Sequence, residues 1–221
     1  MKILNKLIVI MIIVMIVSTN GIYAINKDYV DTKNVRSSIV IDHESKRVLF
    51  EDNAHERVAI ASLTKVMTSI ILAETCGFNE IVVADKGVDW IGGSLLGISS
   101  GDKITVKNLL LGMLLPSGND AAYVSAIHVG GSMENFALMM NKKAKEIGCK
   151  DTNFVNSYGL DADGHLSTAY DTALIMSYAY NNPIIRNIIA LPTSEVHYGK
   201  NSKIIKNTNR LLKMNNYCTR R

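Results

Sequence analysis

The chain has 221 residues, 48% of them hydrophobic, with 24 Lys and Arg against 20 Asp and Glu and a formal net charge of +4. That length and apolar content suit one domain with a sizeable core, bilobed at most, and no basic run stands out to indicate a nucleic-acid partner. Three cysteines (Cys76, Cys149 and Cys218), an odd number with no Cys-x-x-Cys pair, argue against a disulfide framework or a metal site and are read as small buried hydrophobes, with Cys218 free in the tail.

The first 24 residues have the layout of a secretory signal. Lys2 and Lys6 form a basic start, Leu7 to Val17 is an unbroken apolar run of 11, and Ala24 is a small residue suited to cleavage. Eleven helical residues are too short to span about 30 Å of hydrocarbon; the alternative is an uncleaved, tilted N-terminal anchor. Either way the body of the protein, Ile25 to Arg221, is expected outside the cytoplasm. Ser38 to Asp42 and Arg47 to Glu51 alternate around the polar turn His43-Glu44-Ser45-Lys46, which predicts a hairpin. Leu63 to Thr75 reads as a buried helix ending at Gly77. Ile81 to Thr105 reads as strand and Gly-rich loop. Helices follow over Val106 to Leu115, stopped by Pro116, over Asn119 to Val129, stopped by Gly130-Gly131, and from the cap Ser132 to Ile147, stopped by Gly148. Thr168 to Asn181 is a further helix, with Thr168 and Asp171 at capping-box spacing. Ile204 and Ile205 belong to an extended piece leading to Asn207 to Leu212.

Two short motifs carry chemistry. Ser62-Leu63-Thr64-Lys65 opens the apolar helix, and residues three apart share a helix face, so the Lys65 amine can reach the Ser62 hydroxyl. The spacing alone is weak, because Ser100-Gly101-Asp102-Lys103 repeats it in a turn with no helix to align the side chains. Ser117-Gly118-Asn119, after the helix-stopping Pro116, offers a hydroxyl and an amide two residues apart; Ser18-Thr19-Asn20 has the same spacing but lies in the leader. Asp120 is expected to complement the dipole of the helix it opens. His165 is read as a loop histidine hydrogen-bonded to backbone, and Asp171 as a cap.

With the stretches around them, these motifs resemble the low-molecular-weight D-alanyl-D-alanine carboxypeptidases, serine penicillin-recognising enzymes of peptidase family S11. The resemblance is carried by Ala54 to Arg57, Ala61 to Thr68, Gly92-Gly93-Ser94, Thr105-Val106 with Leu109-Leu110, Ser117 to Ala122 and His165 to Asp171. It runs from about Ser38 to Leu212. It implies an α+β fold of the β-lactamase/DD-peptidase type, an antiparallel sheet with flanking helices plus a helical lobe. It also implies an acyl-enzyme on Ser62, with Lys65 as proton acceptor, Ser117 as proton relay and Asn119 positioning substrate. No cofactor is implied. The implied substrate is a peptidoglycan stem peptide ending in D-Ala-D-Ala, and β-lactams are implied as covalent inhibitors. The setting is the cell wall.

For Lys65 to act as a base its pKa must fall well below about 10.4; burial and a second cation would both lower it. The family pattern also wants Lys-Thr-Gly on a strand beside the nucleophile, and the chain contains none. Lys213 to Arg221 departs from the pattern, so the sequence predicts a chain truncated before that motif, with an incomplete sheet and an unpaired hairpin edge. The alternative function is therefore a non-catalytic fragment that at most binds muropeptide or penicillin. A class A β-lactamase is the weakest reading: the middle motif is Ser-Gly-Asn rather than Ser-Asp-Asn, and no glutamate lies between Glu146 and Glu195.

Overall fold

In the computed structural model, which describes residues 35–213, the chain opens with the expected hairpin. Strands β1 (Ser38–Ile41) and β2 (Val48–Asp52) pair antiparallel, with a register shift at Val40/Ile41. The turn closes through Asp42, whose carboxylate accepts from the Ser45 amide and hydroxyl. Among the described residues these strands pair only with each other.

Helix α1 (Thr64–Thr75) follows a 3-10 turn at Ala61–Leu63. It is buried on nearly every side, from Thr64 and Lys65 to Leu72, as expected for a helix without a polar face. Gly77 follows the cap Cys76, at the C′ position the sequence suggests, but the helix does not end on a left-handed glycine: Cys76 is already extended (φ −120°, ψ 149°) and Gly77 is not at positive φ. Strands β3 (Ile81–Val83) and β4 (Lys103–Thr105) pair next. Helices α2 (Val106–Leu114), α3 (Asn119–Gly130) and α4 (Met133–Ile147) lie where hydrophobic periodicity places them. The caps are as read: the hydroxyl of Ser132 accepts from the Asn135 amide, and α3 and α4 stop at Gly131 and Gly148. Helix α5 (Ala169–Asn181) is capped by Thr168, which accepts from the Asp171 amide.

Two elements were not predicted. Helix α6 (Pro183–Ile189) starts at Asn182, whose side chain accepts from the amides of Ile184 and Ile185, with Pro183 at the first helical position. That is the pairing of cap and proline that starts a helix. Strands β5 (Thr193–Tyr198) and β6 (Asn201–Lys206) form a hairpin, and Ile104 pairs with Tyr198 to complete the antiparallel order β3-β4-β5-β6. Only the second strand was anticipated, through Ile204 and Ile205. In β5 just Val196 and Tyr198 are buried, so its apolar signal is faint.

Helix α1 packs against all five other helices. It joins two apolar clusters. Leu72 reaches the one built by α2 and the sheet, with Leu109, Val82, Ile104 and Val196; Met67, Ile70 and Ile71 reach the other, with Phe136 and Met140 of α4 and Ile175 of α5. The start of α1 is thereby fixed from several directions. The architecture is the expected α+β one. Of the cysteines, Cys149 is buried and Cys76 is partly so, and both are free thiols. The signal segment, Ser18-Thr19-Asn20, Cys218 and the divergent tail after Lys213 lie outside the described residues.

Candidate active site

Ser62 lies in the single turn before α1, and Lys65 one turn on. The Lys65 ammonium donates to Ser62 Oγ at 3.0 Å and to the carbonyl of Tyr158 at 2.6 Å. Ser62 is exposed, whereas Lys65 is only 2% exposed. A buried amine resists charging, and burial lowers the Lys65 pKa to about 8, against a partial opposing pull from the Asp120 carboxylate. The expected neighbouring cation is not a cause of the shift; desolvation alone lowers it. The Ser62 amide belongs to a first turn, where N–H groups have no acceptor within the helix.

Backbone geometry supports this placement. Ala61 (φ 45°) and Ser117 (φ 66°) are two of only four non-glycine described residues at positive φ, a conformation that costs roughly 1–2 kcal/mol in an L-residue. The strain falls at both motifs. Behind Ala61 sits the loop Asn156–Leu160. The Asn156 side chain accepts from the amides of Tyr158 and Gly159 and donates to the Leu160 carbonyl, curling the loop so that the Tyr158 carbonyl meets Lys65. Thr68 Oγ1 ties the same loop to α1 through the Ser157 carbonyl, and Ser157 Oγ ties it to α3 through the Ala122 carbonyl. Gly159 is at φ +88°, and a Cβ there would lie 1.9 Å from the Ala61 carbonyl oxygen. Gly159→Ala is therefore expected to push Ala61 and Ser62 off the Lys65 amine. It should cut covalent labelling of Ser62 by at least tenfold while leaving the helical circular-dichroism signal in place.

Ser62, Lys65 and Ser117 line one open cleft of about 840 Å³, together with Met113 and Leu114 of α2, Met176 and Tyr180 of α5, Arg186 and Ile189 of α6, and Asn207 to Asn209. Asn119 does not line it. Its side chain is buried and donates to the Gly92 carbonyl at 2.7 Å, and its amide donates to the Ser94 carbonyl at 2.7 Å. The decoy pair is far from this arrangement in kind: Ser100 sits in a turn held to Asp89, and Lys103 starts β4.

Of three residues given bland readings, Asp120 is placed differently, while His165 and Asp171 keep structural roles with further contacts. Asp120 is 2% exposed and accepts from the amides of Leu96, Gly97, Ile98 and Ala121, so it clamps the 96–98 loop rather than only facing the helix dipole. His165 is hydrogen-bonded to backbone as read, its Nδ1 accepting from Val155 and Asn156; its Nε2 also meets Thr64 Oγ1 at 2.8 Å, beside the nucleophile. An Nδ1 that accepts must carry no proton, so Nε2 is the donor to Thr64. Burial lowers the His165 pKa, partly offset by Asp161, and keeps that neutral tautomer. Asp171 accepts from the amides of Lys150 and Asp151 and from the Thr152 hydroxyl; it is structural, as expected, but through a different loop. The sequence gives no signal for Tyr158, which acts through a backbone carbonyl, or for Asn156, whose side chain only bonds the loop around it.

The arrangement sets an exposed serine hydroxyl against a desolvated lysine amine at a cleft walled by helices α1, α2, α5 and α6 and the 207–209 segment. That is the layout of a serine acyl-transfer enzyme. The family model for D-alanyl-D-alanine carboxypeptidases, peptidase S11, matches residues 25–220, and the chain belongs to that family. It is 36% identical over 184 residues to the D-alanyl-D-alanine carboxypeptidase DacF of Bacillus subtilis, covering 80% of this chain and 47% of the relative. To DacC of Escherichia coli it is 39% identical over 153 residues, covering 64% of this chain and 38% of the relative. The chain thus spans less than half the length of those relatives. Among solved structures, the D-alanyl-D-alanine carboxypeptidase of Mycobacterium tuberculosis H37Rv superposes with a TM-score of 0.77 at 31% identity, covering 81% of this chain and 69% of that one. A mutant Streptomyces K15 DD-transpeptidase gives 0.77 at 27% identity, with 81% and 76% covered.

Proposed function

We propose that the protein is a serine-type D-Ala-D-Ala carboxypeptidase that trims peptidoglycan stem peptides outside the cytoplasm, with residues 1–24 as its secretion signal and 25–221 as the catalytic domain. The observation that carries this reading is the 3.0 Å contact between a buried, pKa-lowered Lys65 and the exposed Ser62 hydroxyl. Neutral Lys65 takes the Ser62 proton as Oγ attacks the carbonyl between the two D-alanines. The Ser62 amide is one donor to the resulting oxyanion. As the C–N bond breaks, the proton passes through Ser117 to the leaving amine of D-alanine. Water then releases the shortened peptide. Asn119 contributes by holding the Gly92–Ser94 segment against the start of α3. β-Lactams would acylate the same serine.

A class A β-lactamase fits less well. Its Ser-Asp-Asn motif would put a side chain at position 118, where a Cβ would lie 2.9 Å from the Gly112 carbonyl and 2.9 Å from Asp120 Oδ1. One observation favours a second reading, a non-catalytic or slow acceptor that at most binds muropeptide or penicillin: the Asn119 side chain, expected to position substrate, is buried on the Gly92 carbonyl and does not line the cleft.

Intact mass after incubation with benzylpenicillin separates these readings, with D-alanine release from diacetyl-Lys-D-Ala-D-Ala measured in parallel. The enzyme reading expects an adduct lost in Ser62→Ala together with catalytic D-alanine release. An adduct with at most one D-alanine per chain supports the slow acceptor. A folded protein with neither would remove both.

A further inference from the structure

The fold gathers three residues that the sequence keeps apart, at a place remote from the Ser62 cleft. Cys76 follows the end of α1, Glu80 precedes β3, and His128 lies in the last turn of α3. One ligand atom from each lies within 4.8 Å of the other two, the only group of this kind among the described residues. We propose that Cys76, Glu80 and His128 form a binding site for a divalent transition-metal ion of the zinc class.

The donor set argues for the ion's identity. Thiolate sulfur, imidazole nitrogen and a carboxylate oxygen together suit zinc; the hard cations calcium and magnesium want oxygen alone. Bonds of about 2.0–2.3 Å in a tetrahedron set ligand atoms about 3.3–3.8 Å apart. His128 Nε2 and Glu80 Oε1 now stand at 2.7 Å, joined by a hydrogen bond. Entry of an ion means that this pair opens by under about 1.5 Å and the sulfur closes in by a similar amount. Three protein ligands leave a fourth position for water, as in an open zinc site.

Each ligand is held by its own element. The Cys76 amide donates to the Leu72 carbonyl, and Thr75 Oγ1 lies 3.6 Å from the sulfur. Glu80 is fixed twice: its amide bonds the Gly77 carbonyl, and its Oε2 accepts from the Gly77 amide at 3.0 Å, which leaves Oε1 for the ion. That carboxylate contact is the outer-shell support that metal ligands need. Helices α1 and α3 are in direct contact, so the sites of Cys76 and His128 move together. The proton balance is simple. An ordinary cysteine carries its proton on sulfur near neutral pH. On binding, the sulfur–hydrogen bond gives way to a metal–sulfur bond and one proton leaves to solvent. His128 moves its remaining proton to Nδ1. As a bare pair, Glu80 and His128 are half-exposed and contribute little.

The probe is Co²⁺ added to the reduced full-length protein, read by absorption. The site predicts a sulfur-to-cobalt charge-transfer band in the near ultraviolet and intense tetrahedral bands in the visible, both displaced by Zn²⁺. Cys76→Ser should abolish the charge-transfer band. His128→Ala and Glu80→Ala should each weaken cobalt binding on the order of tenfold or more, the scale that even outer-shell changes reach. Cys149 and Cys218 are present in every variant, so they cannot account for a band lost with Cys76. Circular dichroism confirms that each variant is folded. No thiolate band in the folded parent, or the same band in Cys76→Ser, would overturn the proposal. Ser62→Ala should bind cobalt as the parent does, and a loss there would equally place the ion elsewhere; failure of the carboxypeptidase reading leaves this result unaffected.

Discussion

Acylation of Ser62 by benzylpenicillin will climb with pH and reach half its maximum near pH 8. The lysine that must take the serine proton titrates at about 8, so roughly one-tenth of it is neutral at pH 7 and one-hundredth at pH 6. Below pH 7 the rate should fall about tenfold for each unit. An ordinary lysine near 10.4 would still be rising at pH 10, so a plateau above about pH 9 marks the lowered pKa. Lys65→Arg tests the base role without removing the charge, since a guanidinium cannot give up its proton; the loss should be on the order of 10²–10⁴, the range for a general base. Lys65→Met separates chemistry from folding. In the unfolded chain the amine titrates near 10.4, so holding it charged in this interior at pH 7 opposes folding by about 3 kcal/mol. Removing it leaves the Tyr158 carbonyl without its donor, an offset of about 1–3 kcal/mol. The Met variant should thus lose acylation yet melt no lower than the parent. The sign of the linkage gives a second check: the unfolded chain binds this proton more tightly, so the Lys65 contribution to stability improves as pH rises from 8 toward 10.4 and is lost as pH falls back through 8. A flat rate profile, or a Met variant that melts several degrees lower, would show that Lys65 is a structural lysine.

The parts of this site that could be read in advance are those written in side chains at short spacing. Ser62 and Lys65 share one turn, and a helical period is enough to join them. Ser117 follows a proline that ends α2, and its left-handed backbone accounts for the sharp change of direction there. Caps at Ser132 and Thr168 were legible because they are local. The rest depends on main-chain groups brought from far along the chain. Nothing in Asn156-Ser157-Tyr158-Gly159 says that the Tyr158 carbonyl will meet an amine 93 positions away. The β5 strand was missed because its partners, β4 and β6, supply most of its order while its own residues are half polar. The cysteine count and spacing argue against a metal site and say nothing of Glu80 or His128, which only the packing of α1 on α3 brings to Cys76.

Asp120 marks the largest gap between reading and structure, and its replacement is expected to be the most damaging to stability. Were it only a complement to the helix dipole, Asp120→Ala would remove about 0.3–1 kcal/mol, a melting shift of a few degrees at most for a domain of this size. Its carboxylate instead accepts four backbone amides, at 2.7 to 3.0 Å, three of them from Leu96, Gly97 and Ile98. The Leu96 and Ile98 donors would be left in the interior with no acceptor, and both residues anchor that loop in the core. Breaking a buried charged contact of this kind typically removes about 3–5 kcal/mol, a fall of roughly 10–15 °C in Tm. Asp120→Asn keeps the shape but turns one acceptor into a donor facing amide N–H groups, so it should lose nearly as much. Both changes also reach the chemistry. The Asp120 charge holds the Lys65 pKa up against desolvation; without it the half-maximum of acylation must move below pH 8, in whatever fraction of the variant remains folded. A drop in Tm with an unmoved pH midpoint would mean that Asp120 and Lys65 do not feel each other. A moved midpoint with an unchanged Tm would mean that the loop 96–98 needs no clamp. Only the two shifts together fit a carboxylate that clamps the 96–98 loop and sets the charge on Lys65.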